Sequence, residues 1–112
     1  MGKQVLVIAN SRHVQATCSM HLGRMGHEVH VAFNGMEAKM LHRSWFDMII
    51  MEHNLPRMTS IELLGHFHER IPVIVLAESN VDYSAHQQVK HVLAKPFRPE
   101  VLVALVTELL LL

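Results

Sequence analysis

The chain has 112 residues, half of them apolar, and its ten basic and ten acidic side chains cancel. That length supports one hydrophobic core and no second one, so a single domain over 1–112 is expected, with no Pro-, Gly- or Ser-rich stretch to act as a linker. The balanced charge offers no basic face for direct nucleic-acid binding and no polybasic membrane patch, and a lone Cys18 fits a reducing cytoplasm.

The first residues run straight into a strand-like segment without the pattern of a signal peptide. Lys3 to Ala9 is a β-branched apolar run, the mark of a strand buried on both faces, and Asn10-Ser11 closes it. Over 11–25 the apolar positions Val14, Cys18, Leu22 and Met25 recur at helical spacing, and Gly26 supplies the stop. Residues 28–33 alternate as a second strand, Asn34-Gly35 breaks it, and 36–45 returns to helical spacing through Ala38, Leu41 and Trp45. A third strand covers 47–52, a third helix 60–68 and a fourth strand 72–77. Residues 80–88 are polar and read as a short helix or an irregular loop. A last strand follows over 90–94, then a last helix over 99–112 with Pro99 in its first turn. That final run is apolar, but Glu108 interrupts it and it is too short to span a membrane.

Strands alternating with helices require crossover connections, which make a parallel sheet. The expected fold is a doubly wound α/β sandwich: five parallel strands with helices on both faces. Sites in such sheets lie beyond the carboxyl ends of the strands, near the point where strand order reverses. Those ends carry Ala9-Asn10, Glu52, Ala77 and Lys95.

In order and spacing, Val5-Leu6-Val7-Ile8, Asn34-Gly35-Met36-Glu37-Ala38, Asp47-Met48-Ile49-Ile50, Leu55-Pro56-Arg57-Met58, Pro72-Val73-Ile74-Val75-Leu76 and Lys95-Pro96-Phe97 make a set. With them the chain resembles the receiver domain of bacterial two-component response regulators, from Lys3 to about Leu110. The resemblance implies an aspartate at the end of the third strand that accepts a phosphoryl group, and an acidic pair after the first strand that helps to hold Mg²⁺. It also implies a Thr or Ser after the fourth strand and a Lys after the fifth that read the phosphate, with a cis Lys-Pro bond. This sequence departs from that pattern where the chemistry lies. The acidic positions hold Ala9 and Asn10, the phosphoacceptor position holds Glu52, the hydroxyl position holds Ala77, and Lys95 alone is kept. Mg²⁺ binding is therefore expected to be lost or weak, since the ion needs hard oxygen ligands. The aromatic residue that usually sits three positions before the lysine is Val92 here. Two readings of Glu52 stay open: a fixed ion pair with Lys95 that imitates the phosphorylated state, or a structural partner for a lysine that burial would otherwise leave unpaired.

The segment between Ala77 and Lys95 is short for a receiver, so the fourth helix is expected to be short or absent. On the last helix, Leu102, Val106 and Leu109 supply a core stripe, and Val101, Leu105 and Leu112, with Glu108, lie on a face turned away from it. That second stripe marks a candidate interface for a homodimer or a protein partner. The histidines lack metal-ligand spacing, Cys18 reads as core, and the methionines read as core fillers with Met58 the exposed one. The sequence thus points to a non-enzymatic, phosphorylation-independent interaction module. Its alternatives are a phosphorelay-competent receiver, the receiver of a DNA-binding regulator, or a small-ligand or anion sensor using the degenerate pocket.

Overall fold

The computed structural model describes residues 2–41 and 45–111. Its elements in chain order are β1 (Gln4–Ile8), α1 (Arg12–Arg24), β2 (Glu28–Ala32), α2 (Gly35–Leu41), β3 (Met48–Glu52), α3 (Ser60–Leu64), β4 (Val73–Ala77), β5 (Val89–Ala94) and α4 (Pro99–Leu110). The strands form one parallel sheet in the order β2-β1-β3-β4-β5. From β1 the chain steps out to β2 and then crosses back past β1 to β3. The order therefore reverses between β1 and β3, whose carboxyl ends carry Asn10 and Glu52.

β1, β3 and β4 are buried on both faces, which is why their sequences are unbroken apolar runs. One face of the sheet, through Val5, Val7, Ile50, Ile74 and Leu76, packs on Val14, Cys18 and Leu22 of α1 and on Leu102 and Val106 of α4. The other, through Leu6, Ile8, Ile49, Met51 and Val75, packs on Ala38 of α2 and on Leu63 and Leu64 of α3. Each fully buried aliphatic side chain is worth about 2 kcal/mol against exposure, so these two layers supply most of the driving force. Local signals set the helix limits. Ser11 Oγ accepts from the Val14 N–H to start α1, Thr59 does the same for Glu62 in α3, and Gly26 takes φ 89° just past the end of α1.

Residues 78–88, all of them described, contain turns and no helix, in keeping with the expected short or absent fourth helix, so β4 passes to β5 through an irregular crossover. Other expectations are corrected. α3 stops at Leu64, short of the expected 68, because the chain tightens into short-range bonds from Gly65, His66 and Phe67 N–H to Glu62, Leu63 and Leu64 carbonyls, which turn Phe67 into the core. His66 and His68 are therefore off the helix. α2 is described to Leu41, the expected continuation over 42–44 lies outside the described residues, and Trp45 is 59% exposed against the edge of His68. The methionines divide: Met48 and Met51 are core, whereas Met20, Met25, Met36 and Met40 lie on outer surfaces because smaller residues fill the inner faces of α1 and α2. Met58, expected to be exposed, is half-buried. Arg57 at φ 72° turns the loop so that Met58 rests on Gly35, where a β-carbon would lie 3.1 Å from its side chain.

Candidate functional site

The carboxyl ends of β1, β3, β4 and β5 open into a cleft of about 980 Å³, with α1 and the start of α4 as its walls. Asn10, Ser11, Glu52, Asn54, Glu78 and Lys95 bring polar atoms to it, and Met20, Phe97 and Pro99 line its apolar side. Glu52 is 5% exposed, yet each of its carboxylate oxygens has a hydrogen-bond partner. Oε2 accepts from Lys95 Nζ at 2.8 Å, and Oε1 accepts from the Ser11 N–H at 3.1 Å. Glu52 thus ties the carboxyl end of β3 both to the loop after β5 and to the N-terminus of α1. Lys95 has a second carboxylate nearby, Glu78 Oε1 at 3.7 Å, and its bond to Pro96 is cis.

The other predicted positions divide around this pair. Ala9 and Ala77 are buried to within 2% and present only methyl groups. The Ala9 carbonyl accepts from the Gln15 side-chain amide and its N–H donates to the Ala32 carbonyl at 2.9 Å, while the Ala77 carbonyl accepts from the Lys95 N–H at 2.8 Å, so both are fixed through their main-chain groups. Asn10 is exposed at the cleft. Tested against Mg²⁺, this donor set does not fit. Glu52, whose two oxygens accept from Lys95 and Ser11, exposed Glu78, itself 3.7 Å from Lys95, one amide at Asn10 and two methyl groups do not supply a compact hard oxygen shell, and among the described residues no three His, Cys, Asp or Glu side chains converge as metal ligands. Beneath the site, Cys18 is buried and its thiol is pushed up to about 12, first by burial and then by the negative charge of Glu52. It is not a nucleophile.

These features coincide with a recognised domain type, because residues 5–107 match the response regulator receiver domain. The chain belongs to that family. It is 26% identical to the transcriptional regulatory protein SrrA of Staphylococcus aureus over 98% of its own length and 48% of SrrA, so it spans about half the length of the curated relatives it matches. The chemotaxis response regulator CheY4 of Vibrio cholerae superposes with a TM-score of 0.83 at 26% identity, covering 97% of this chain and 99% of CheY4. The receiver domain of the sensor histidine kinase PA1611 of Pseudomonas aeruginosa, a structure with a magnesium ion coordinated in its active-site cleft, shares the fold. Its TM-score is 0.84 at 20% identity, with 98% of both chains covered.

Within this receiver a second polar cluster lies beside the first, and reading the sequence missed it. Tyr83, from the helix-free crossover, is 5% exposed and packs in the layer that holds Val75 and Leu63. Its hydroxyl lies 2.6 Å from the Oγ of buried Ser60 and 2.5 Å from Nδ1 of His53, the residue after Glu52. One side chain therefore pins 78–88 to the end of β3 and the start of α3. The signal available was a lone tyrosine in an otherwise polar stretch. Val92 pairs with Val75 on the same side of the sheet and is 41% exposed. Nearby aromatic bulk comes from Tyr83 instead.

The outer face of α4 also differs from expectation. Val101 is 40% exposed and Glu108 is exposed, but Leu105 packs against the core layer of α1, and Leu112 lies outside the described residues. Leu105 is drawn in because α4 lies directly against α1. The outward line is Val101, Ala104, Glu108 and Leu111, at helical spacing.

Proposed function

We propose that this receiver works without phosphorylation, as a protein-interaction module in a two-component-type pathway of the cytoplasm. The observation that carries the reading is the double engagement of Glu52 by Lys95 and Ser11. Attack on a phosphoryl group needs a carboxylate oxygen free to bond phosphorus and a cation to neutralise the charge that develops. Here each oxygen already accepts a hydrogen bond from a charged or backbone donor, which lowers its nucleophilicity, and the one lysine that would read a phosphate is already paired. Asn10 and Ala9 leave Mg²⁺ weakly held or unbound, and Ala77 has no hydroxyl to draw toward a phosphate. Incubation with acetyl phosphate and Mg²⁺, under conditions that modify an aspartate-bearing receiver, leaves the intact mass unchanged. Gain of one phosphoryl group overturns the reading.

The contact surface in this proposal is the outward line of α4, where Val101 and Leu111 flank Glu108. A homodimer or a protein partner would use it, and direct nucleic-acid contact is not part of the reading. Light scattering at tens of micromolar then gives a dimer that Val101→Glu converts to monomer, by about a tenfold loss of affinity for a charge placed in an apolar contact. A monomeric wild-type chain removes the homodimer version. SrrA is named a transcriptional regulatory protein, and this chain spans 48% of it, so a role as the receiver of a DNA-binding regulator is the second reading.

A further inference from the structure

The opposite pole of the sheet carries a separate feature. At the amino ends of β1, β3, β4 and β5, beside the carbonyl end of α4, lies a hollow of about 440 Å³. Its polar lining is Lys3, Arg70, Lys90 and Asp47, and its apolar wall is Pro72, Leu109 and Leu110. The cations come from segments far apart in sequence, and the sheet gathers them: Lys3 precedes β1, Arg70 precedes β4, and Lys90 lies in β5. Among the described residues, none of the three makes a side-chain hydrogen bond or an ion pair.

Within the lining, negative charge does not balance them. Asp47 accepts the Gln4 N–H through Oδ2 at 2.8 Å, and the carbonyl end of α4 adds the equivalent of roughly half a negative charge. Three cations therefore face roughly one and a half negative charges. The cleft at the other pole has the reverse character, because its one lysine sits between Glu52 and Glu78. In a chain of zero formal net charge, the surplus positive potential of this hollow is a local product of the fold.

The lining indicates the chemistry. Converging cations suit a dianion, and a guanidinium can bind two phosphate oxygens while each ammonium acts as a point charge. A wall of proline and two leucines suits an apolar or aromatic body, and the volume is in the range of small-molecule sites. We propose that the hollow binds a phosphate monoester, with the phosphate among Lys3, Arg70 and Lys90 and the body of the ligand against Pro72, Leu109 and Leu110. The site is independent of the state of Glu52 and does not rest on the function proposed above.

The test is a titration of the whole chain, followed by amide chemical shifts, with adenosine monophosphate, inorganic phosphate and adenosine as three probes. Saturable shifts at residues 3, 70, 90, 109 and 110 are expected, with the monophosphate binding tighter than either phosphate or adenosine. Arg70→Ala and Lys90→Ala each weaken it about fivefold, the loss of one partly exposed charge contact. Their side chains are exposed, so the fold is retained, which the spectra report directly. Arg12→Ala, at the opposite pole, leaves binding unchanged. The proposal is overturned by an absence of saturable shifts at millimolar ligand, by shifts centred on residues 10, 52 and 95, by adenosine or phosphate binding as tightly as the monophosphate, or by unchanged affinity in both hollow variants.

Discussion

Lys95→Met lowers the unfolding free energy by about 3 kcal/mol, the low end of the cost of stranding one partner of a buried ion pair. The low end applies because the Lys95 side chain is 17% exposed, so water at the cleft compensates part of the loss, while the Glu52 side chain is only 6% exposed. After substitution, Glu52 keeps the Ser11 N–H but loses its ion-pair cation, and Glu78, the other carboxylate beside Lys95, is of the same sign. Glu52→Gln is milder, at about 1 kcal/mol, because the amide oxygen still accepts from Ser11 and Lys95 retains Glu78 and solvent. Urea unfolding of the two single variants and the double variant closes a cycle, and a coupling of about 1 kcal/mol or more identifies the pair as one unit. Additive single losses would show that the two side chains stabilise the fold separately.

Tyr83→Ala has a comparable effect, about 4 kcal/mol, through a cavity where a buried ring stood and the loss of two hydroxyl contacts. Tyr83→Phe isolates the hydroxyl. It costs about 2 kcal/mol, chiefly because Ser60, 2% exposed, loses its side-chain partner in the core. Adding Ser60→Ala to Tyr83→Phe recovers part of that cost, since an apolar pair leaves no unsatisfied donor. Hydrogen exchange locates the effect. Amides of 78–88 and the start of α3 exchange faster in Tyr83→Phe, whereas those of β1 and β3 follow only the global change. Uniform acceleration across the sheet would mean that the hydroxyl does not anchor the crossover.

The fold was legible because its signals are local and repeated. β1, β3 and β4 are continuous apolar runs, Gly26 ends α1, and Val14, Cys18 and Leu22 mark its inner face. The positions at the strand ends could also be read, since parallel topology sends Asn10, Glu52 and Lys95 to one edge. What could not be read depends on packing between distant segments. Leu105 has the spacing of an outward residue, yet the seating of α4 against α1 covers it. Met58 sits in a polar loop, but a left-handed Arg57 aims it inward. The Tyr83 cluster joins residues from three loops and elements with no common period, and the cations of the far hollow meet only when the sheet is assembled.

Cys18 has a consequence of another kind. Its thiol faces the sheet from the middle of α1 within the apolar layer, and its pKa is raised first by that burial and then by the charge of Glu52. A sulfur so placed is chemically silent while the helix stays seated. Any reagent that captures it has caught α1 away from the strands, so the rate of capture is a clock for the motion of one wall of the cleft, carried by the protein without a label.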